Sequence, residues 1–256
     1  MSLAAMQERF GDSVSAYEED GWVHLARALP GYEATYRALT RALSTNAALP
    51  GLSKLALART GAVEARAELP LAPETGVARH MDTIVDGFRV ASGTDITPRR
   101  DAHEPIDLDD VEALLIDIGK QPRRASETKL VIPLPAAPPE IAELEATLTG
   151  SLRLSVAIAE TEAWPDPSRR ALAVFLMRVN ATVRLARAVV ESGAARFEVS
   201  FVSKPSEDDL AHALVALDAV TYFHIREARA LEDEALARIF LTNNNPKGER
   251  NHEHCC

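Results

Sequence analysis

The sequence has few cysteines, few aromatic residues and no long apolar run. Its two cysteines, Cys255 and Cys256, are adjacent at the C-terminus and cannot crosslink a core, so nothing indicates an oxidising compartment. The longest apolar run, residues 171–177, is too short to cross a bilayer, and residues 1–10 lack the pattern of a signal peptide. We therefore expect a cytoplasmic protein that is not embedded in a membrane.

The remaining composition is that of a folded globular chain. Of its 256 residues, 46% are hydrophobic and 26% are charged, which suffices for one large domain or two small ones. Abundant alanine, leucine, arginine and glutamate favour helices. The net charge of -10 disfavours nucleic-acid binding unless a local basic face overrides it.

Apolar spacing in the first part of the chain predicts the order helix, hairpin, helix. A helical stripe runs through residues 32–43, and a second one through residues 77–88. Between them, apolar and polar residues alternate at 55–57 and 63–69 around a turn at Gly61. This alternation is typical of a half-buried hairpin.

The second part repeats that order behind additional elements. Asp107 is a good N-cap for a short helix that ends at Gly119. The patterns that follow predict a strand at 130–134, a short helix at 141–148, a strand at 152–158, a helix at 172–183, strands around 189 and at 197–201, and a last helix at 210–231.

These patterns predict an α+β fold with two related helix–β-hairpin–helix units and antiparallel sheets. A break rich in Ser, Gly, Thr and Pro between Gly93 and Pro105 marks the boundary. We predict a first unit at residues 1–98, truncated because it has no leading strands, a linker at 99–106, a complete second unit at 107–241, and a disordered tail at 242–256.

The two units align at a nearly constant offset. The matched pairs are Asn46 with Asn180, Gly61 with Gly193, Glu64 with Glu198, and Pro70 with Pro205, at offsets of 132 to 135. Such drift requires only small insertions in loops, so we favour a tandem duplication. The alternative is that any two helix–hairpin–helix units share their apolar spacing.

The second unit resembles the YbjN-like proteins, which share the fold of the type III secretion chaperones. The resemblance rests on two strands, a helix ending in Val179-Asn180, a hairpin at 185–201, and a final helix opened by residues 206–209. It implies a non-enzymatic α+β module, usually dimeric, that binds a partner protein or acts in regulation. It carries over no catalytic residue or cofactor. Two units in one chain would form an intramolecular pseudo-dimer, and hence a monomer in solution.

The motif search adds no catalytic chemistry. The sequence contains neither a glycine-rich dinucleotide turn nor a phosphate loop, and it has no nucleophile-elbow serine or zinc-protease motif. The acidic stretch at 101–117 lacks the turn glycine of a calcium loop and is interpreted as a linker followed by a capped helix. Two interpretations of the tail are open, a flexible end or weak metal binding by His252, His254, Cys255 and Cys256.

One segment has a distinct charge. Seven cations and two glutamates lie between Ser168 and Lys204, a net charge of +5. Its candidate partner-binding residues are Arg169, Arg170, Arg178, Arg184, Arg187 and Arg196. A docking surface for an acidic peptide or nucleic acid is the functional interpretation. The alternative is a set of solvated arginines paired with acidic residues elsewhere.

The leading functional hypothesis is a non-enzymatic, chaperone-like or regulatory module that holds a segment of a partner protein. Exposed hairpin edges or an apolar helix face would make the contact. The alternative is a nucleic-acid-associated protein that uses the basic segment at 168–204. An enzyme with an unfamiliar site in the groove between the units is the third hypothesis.

Overall fold

The computed structural model of the chain describes residues 13–30, 32–70, 75–93, 106–134 and 143–244. Within these ranges the chain forms six helices and two antiparallel sheets, which confirms the prediction of an α+β fold. No helix in the described ranges has the length and apolar character needed to cross a membrane.

The first half of the structure consists of four strands and two helices. They are β1 (Ser15–Glu19), β2 (Trp22–Ala28), α1 (Tyr36–Ala48), β3 (Lys54–Leu57), β4 (Val63–Pro70) and α2 (Thr75–Ala91). The strands form one sheet in the order β1-β2-β4-β3. The helix–hairpin–helix order predicted for this half is confirmed, because α1, the β3–β4 hairpin and α2 follow one another.

The second half contains six strands and four helices. They are α3 (Leu108–Asp117), β5 (Arg123–Ser126), β6 (Lys129–Pro133), β7 (Glu143–Leu148), β8 (Leu152–Glu160), α4 (Asp166–Thr182), β9 (Arg187–Glu191), β10 (Ala194–Phe201), α5 (Glu207–Ala230) and α6 (Glu234–Asn244). The sheet order is β5-β6-β7-β8-β10-β9. Its last four strands repeat the connectivity of the smaller sheet.

Two predicted features of the halves are wrong. The first unit is not without leading strands, since β1 and β2 precede α1 and pair with each other and with β4. Residues 143–148 form β7 rather than a helix, because pairing with β6 and β8 buries Leu144 and Ala146. Their apolar spacing fits either structure, and the sheet partners decide between them. The apolar patterns of the sequence did not predict β5 and α6.

The start of α3 follows the predicted chemistry. The Asp107 carboxylate accepts a hydrogen bond from the Asp109 amide at 3.0 Å, as expected of the cap of α3. The prediction that disorder begins at residue 242 is wrong for residues 242–244, which are helical, and Asn244 accepts a hydrogen bond from Arg178. Residues 99–105 of the linker and 245–256 of the tail lie outside the described residues.

Buried side chains from both halves form one continuous hydrophobic cluster. The contacts across it are reciprocal, because α1 of the first half packs against β9, α4 of the second half packs against β3, and the two helices pack against each other. Each helix therefore covers the edge strand of the other half's sheet. This arrangement protects both edges from further pairing along most of their length.

Candidate functional site

Two asparagines lie at the centre of the contact between the halves. The Asn46 side-chain amide donates to the carbonyl oxygens of Leu55 and Ala188 at 3.1 and 3.3 Å, and the Asn180 amide donates to the same two at 3.0 and 3.2 Å. Each side-chain oxygen accepts from one strand amide, Leu55 for Asn46 and Ala188 for Asn180, both at 2.6 Å. The sequence repeat aligns these two asparagines with each other, but it does not predict their function at the contact.

Two buried cations flank the asparagines, one on each edge strand. Lys54 of β3 forms an ion pair with Glu68 at 2.7 Å and donates to the carbonyl oxygens of Val183 and Ala186 in the other half. Burial lowers the pKa of Lys54, and the charge of Glu68 opposes that shift. The ammonium group therefore contacts main-chain oxygens of the α4–β9 connection.

Arg187 of β9 makes the reciprocal contacts. Its guanidinium bonds Glu198 at 2.8 and 3.0 Å and Ser200 at 2.9 Å within its own hairpin. It also donates to three carbonyl oxygens of the α1–β3 connection, those of Leu49, Gly51 and Ser53. Together with Asn46, Lys54 and Asn180, it forms what we call the polar interface.

The burial of Arg187 corrects its proposed role in partner binding. The residue is 2% exposed, and burial lowers the pKa of its guanidinium, while the nearby Glu198 carboxylate opposes that shift. An arginine whose donors are all turned inward cannot contact a partner. The strand register also pairs Arg187 with Glu198 and Lys54 with Arg66, so Arg66 rather than Glu64 occupies the position of Glu198.

A groove opens next to the polar interface, between α1 and α4. Its volume is about 530 Å³. Apolar side chains form its floor, namely Leu43, Leu172, Ala173 and Val190. The polar lining consists of the hydroxyls of Thr40, Ser44, Thr161 and Ser192 and the charged groups of Glu162, Asp166, Arg169 and Arg170, and Gly193 lines the groove as well. Concave sites with an apolar floor and a few polar groups are typical binding sites.

The β9 edge is free of protein partners where it borders the groove. In the antiparallel β9–β10 pair, alternate residues direct their main-chain groups away from β10. Ala188 does so, since its amide and carbonyl bond asparagine side chains, and Val190 follows two residues later with the same orientation. Among the described residues, no hydrogen-bond partner faces the N–H or C=O of Val190.

The β9–β10 turn shapes the end of the groove. Ser192 and Gly193 both have positive φ angles, 50° and 79°, as a two-residue hairpin turn requires. The Gly193 carbonyl accepts hydrogen bonds at 2.8 Å from both the amide and the hydroxyl of Thr161. A Cβ at position 193 would lie 2.4 Å from the Cγ of Glu162, so glycine is needed for this close approach.

Two of the six predicted partner-binding arginines lie at the groove. Arg170 contacts the Asp166 carboxylate at 2.7 Å, and its guanidinium lies 5.6 Å from the centre of the Tyr36 ring. Arg169 lies 3.7 Å from the same carboxylate and donates to the carbonyl of Glu162 at 3.4 Å. Both side chains are about half exposed.

The remaining cations of the basic segment are dispersed. Arg178 bonds Asn244, Arg196 bonds Glu191, and Lys204 bonds Asp110 at 2.8 Å. Arg184 contacts Asp20 at 3.2 Å and lies over the Trp22 ring. The segment at 168–204 therefore does not form one continuous basic face.

None of the partner-binding residues predicted from the sequence lies on α1, although this helix lines the groove. Thr40 and Ser44 line it, and Arg37 and Arg41 are exposed on the same side of the helix. The signal was present, because these four residues recur at i, i+3, i+4 and i+7, roughly opposite the buried stripe of Leu39 and Leu43.

A smaller hollow of about 190 Å³ lies between α3, β6 and α5. Val215, which lines it, is 70% exposed, and the same helix carries exposed Tyr222 and Phe223. Nothing in the described part of the chain covers this apolar helix face.

Metal ligands do not cluster in the part of the chain that the structure describes, where no group of three or more His, Cys, Asp or Glu side chains could hold an ion. The acidic residues at the start of α3 have a different use, since Asp109 and Glu112 both bond Arg124. The tail residues His252, His254, Cys255 and Cys256 lie outside the described ranges.

Comparison of the chain with family models, with curated proteins and with solved structures finds no match.

Proposed function

We propose that this chain is a non-enzymatic, chaperone-like protein-binding module that holds an extended segment of a partner protein in the groove between α1 and α4. The observation that carries the proposal is the free main-chain edge of Val190, which borders the groove. An extended segment gains affinity by adding main-chain hydrogen bonds to an exposed strand edge. The apolar floor supplies the complementary side-chain contact.

We infer that the two halves are duplicated units of the YbjN-like, type III secretion chaperone-like kind, joined as an intramolecular pseudo-dimer. The reciprocal polar interface supports this inference. Lys54 reaches the carbonyls of residues 183 and 186, and Arg187 reaches those of 49 and 53, which correspond at offsets of 133 and 134. A self-complementary interface is what a twofold dimer produces.

Light scattering tests the pseudo-dimer. Because the halves already satisfy each other's edge strands, we expect the purified chain to be a monomer near 27.8 kDa in solution. The cytoplasm is its proposed location. A stable dimer would contradict the inference that the two units have replaced dimerisation.

No catalytic step is part of the proposal. Three of the four charged groups that line the groove are engaged with one another, since Asp166 contacts both Arg169 and Arg170. The Thr40 and Ser44 hydroxyls donate to main-chain carbonyls of their own helix.

Filling the groove tests the proposal. The Thr40→Trp variant places a large side chain at its wall, and Thr242→Trp is the matched control. Both threonines are exposed helical residues that donate to the carbonyl four residues earlier, at 2.9 Å. Thr242 belongs to α6, which packs on α4 through residues such as Phe175 rather than through those at the groove.

The readout is retention of a partner protein from native lysate, followed by mass spectrometry. The proposal expects a protein retained by the wild type and by Thr242→Trp but lost with Thr40→Trp, with both variants as thermally stable as the wild type. Equal retention by all three chains would remove the groove as the binding site. Failure of the wild type to retain any protein would count against the whole proposal.

Nucleic-acid association through residues 168–204 is the second candidate. The separation of the basic segment into pairs with Asp20, Asp110, Asp166 and Glu191 weakens it. A mobility shift with steep salt dependence, reduced by Arg169→Glu and Arg170→Glu, would support this candidate instead.

A further inference from the structure

We propose that the segment held in the groove is acidic, with carboxylates alternating with small apolar side chains; this inference rests on the proposed function. It extends the function by giving the chemistry of the partner. The observation behind it is a pair of exposed arginines, Arg37 and Arg41, on the helix face that borders the groove, which no carboxylate of the described residues neutralises in a chain that is acidic as a whole.

Four of the arginines on the two helices that form the groove line it or lie on the adjoining face of α1. Arg169 and Arg170 line it on α4, and Arg37 and Arg41 lie on the α1 face that carries Thr40 and Ser44. Two carboxylates, those of Glu162 and Asp166, lie among them. The two carboxylates balance the two arginines that line the groove, so Arg37 and Arg41 on the adjoining face of α1 supply two uncompensated positive charges in a chain whose total charge is -10. Complementary charge steers association and selects partners.

The two arginines of α1 have no carboxylate within ion-pair distance among the described residues, whereas Asp166 already engages Arg169 and Arg170. Both α1 side chains belong to exposed residues. Free guanidiniums bind carboxylates in a bidentate fashion without first breaking an internal pair. Arg37 and Arg41 are thus the cations best placed to recognise an incoming acidic group.

The expected pattern of the partner follows from strand geometry. An extended segment directs alternate side chains to opposite faces. One row would contact the floor formed by Leu43, Leu172 and Ala173, and the other would face the arginines at the opening. Main-chain bonds to Val190 would fix its register. Alternating valine and glutamate is therefore the simplest sequence that satisfies both rows.

Fluorescence anisotropy with three labelled peptides of about eight residues tests the inference. They alternate valine with glutamate, with glutamine or with lysine. We expect saturable binding of the glutamate peptide and at least about tenfold weaker binding of the other two. Because exposed charges are screened by salt, the preference should shrink as ionic strength rises.

Charge reversal locates the contact. Arg41→Glu and Arg37→Glu should each weaken binding of the glutamate peptide about tenfold or more. The matched control is Arg123→Glu, an exposed arginine on β5, at the opposite edge of the six-stranded sheet from β9. Equal weakening by the control would show a nonspecific charge effect and overturn the inference.

The outcomes separate this inference from the proposed function. Equal binding of the three peptides, with all binding lost in Thr40→Trp, would overturn the acidic preference and leave the groove as a peptide site. Binding of the glutamate peptide that survives Thr40→Trp would overturn both. Absence of peptide binding would overturn the acidic-peptide inference. If a labelled oligodeoxythymidine bound more tightly than the glutamate peptide and depended on the same arginines, the inference would be overturned in favour of nucleic acid.

Discussion

Ala188 and Val190 point their main-chain groups in the same direction from one strand and meet opposite surroundings. At Ala188, the amide and carbonyl are bonded by Asn180 and Asn46, inside the contact between the halves. At Val190, two residues later, the same groups face an open groove. The same edge strand therefore stabilises the contact between the halves at Ala188 and offers free main-chain groups for binding at Val190.

The physical difference lies in burial. A buried polar group without a partner costs about 1–3 kcal/mol, so the groups at Ala188 must be bonded within the protein. Val190 is only partly buried, so water satisfies its N–H and C=O at little cost. A partner strand can replace that water, whereas nothing can replace the asparagines without separating the halves.

Breaking the polar interface at Arg187 should have the largest effect. In Arg187→Met the buried Glu198 carboxylate loses its hydrogen-bonded cation and keeps only Arg196 at 3.7 Å. The carbonyls of Leu49 and Ser53 lose their donor, whereas that of Gly51 still accepts from Ser200. We expect a loss of about 3–5 kcal/mol in the free energy of unfolding, measured by urea denaturation. The control Arg238→Met removes a 60% exposed arginine and should cost less than about 1 kcal/mol. Similar losses in both variants would contradict the assignment.

Removing the asparagines should have a smaller effect that is not additive. Each carbonyl, of Leu55 and of Ala188, accepts from both asparagines, so either Asn46→Ala or Asn180→Ala leaves one donor in place. Each single variant should lose about 1–3 kcal/mol for the orphaned strand amide. The double variant should lose more than the sum, because both carbonyls are then unpaired. A double-mutant cycle in urea that shows simple additivity would contradict the shared bonding.

Acid should weaken a second contact between the halves, that of His80 on α2 with Asp209 on α5, at 3.1 Å. Burial acts to raise the pKa of Asp209, but hydrogen bonds from His80 and Ser206 outweigh it and lower that pKa from 3.8 to about 2. The stabilisation is therefore complete above pH 3.8 and is lost as the pH falls through about 2.

Asp209→Asn should remove this part of the acid dependence when unfolding is measured between pH 4 and pH 2. Asp208→Asn, at the exposed neighbouring position, is the control. An unchanged slope in Asp209→Asn would show that other carboxylates carry the acid response.

The comparison between Ala188 and Val190 can be sharpened without destabilising the protein. Amide hydrogen exchange of the free chain should be at least about tenfold faster at Val190 than at Ala188, because only the latter amide is bonded within the fold. Saturation with a groove-bound peptide should slow exchange at Val190 selectively. Equal protection of the two amides in the free chain would remove the basis for strand addition.

Much of the fold could be predicted because its signals are local. The two hairpins, α1 and α4 follow from apolar spacing and turn residues such as Gly61 and Gly193. β7 could not be assigned in this way, since the positions of Leu144 and Leu148 fit a helix as well as a strand. β1 carries an exposed edge with no apolar alternation to reveal it.

The candidate site was predicted less well for the same reason. Arg169 and Arg170 were selected by charge and do lie at the groove, but Arg187 was selected by the same criterion and is buried. Its three carbonyl partners lie in the α1–β3 connection, 134 to 138 residues earlier. No pattern within one segment shows a contact over that separation.

The reciprocal contacts of the polar interface imply that the peptide connection between α2 and α3 is not what keeps the halves together. Each half presents an edge strand that the other half's helix covers, and each supplies the cation that the other's helix–strand connection binds. Two separately synthesised fragments, one ending after α2 and one beginning before α3, would therefore reassemble by fragment complementation. Their stability would then depend on concentration, as for any obligate heterodimer.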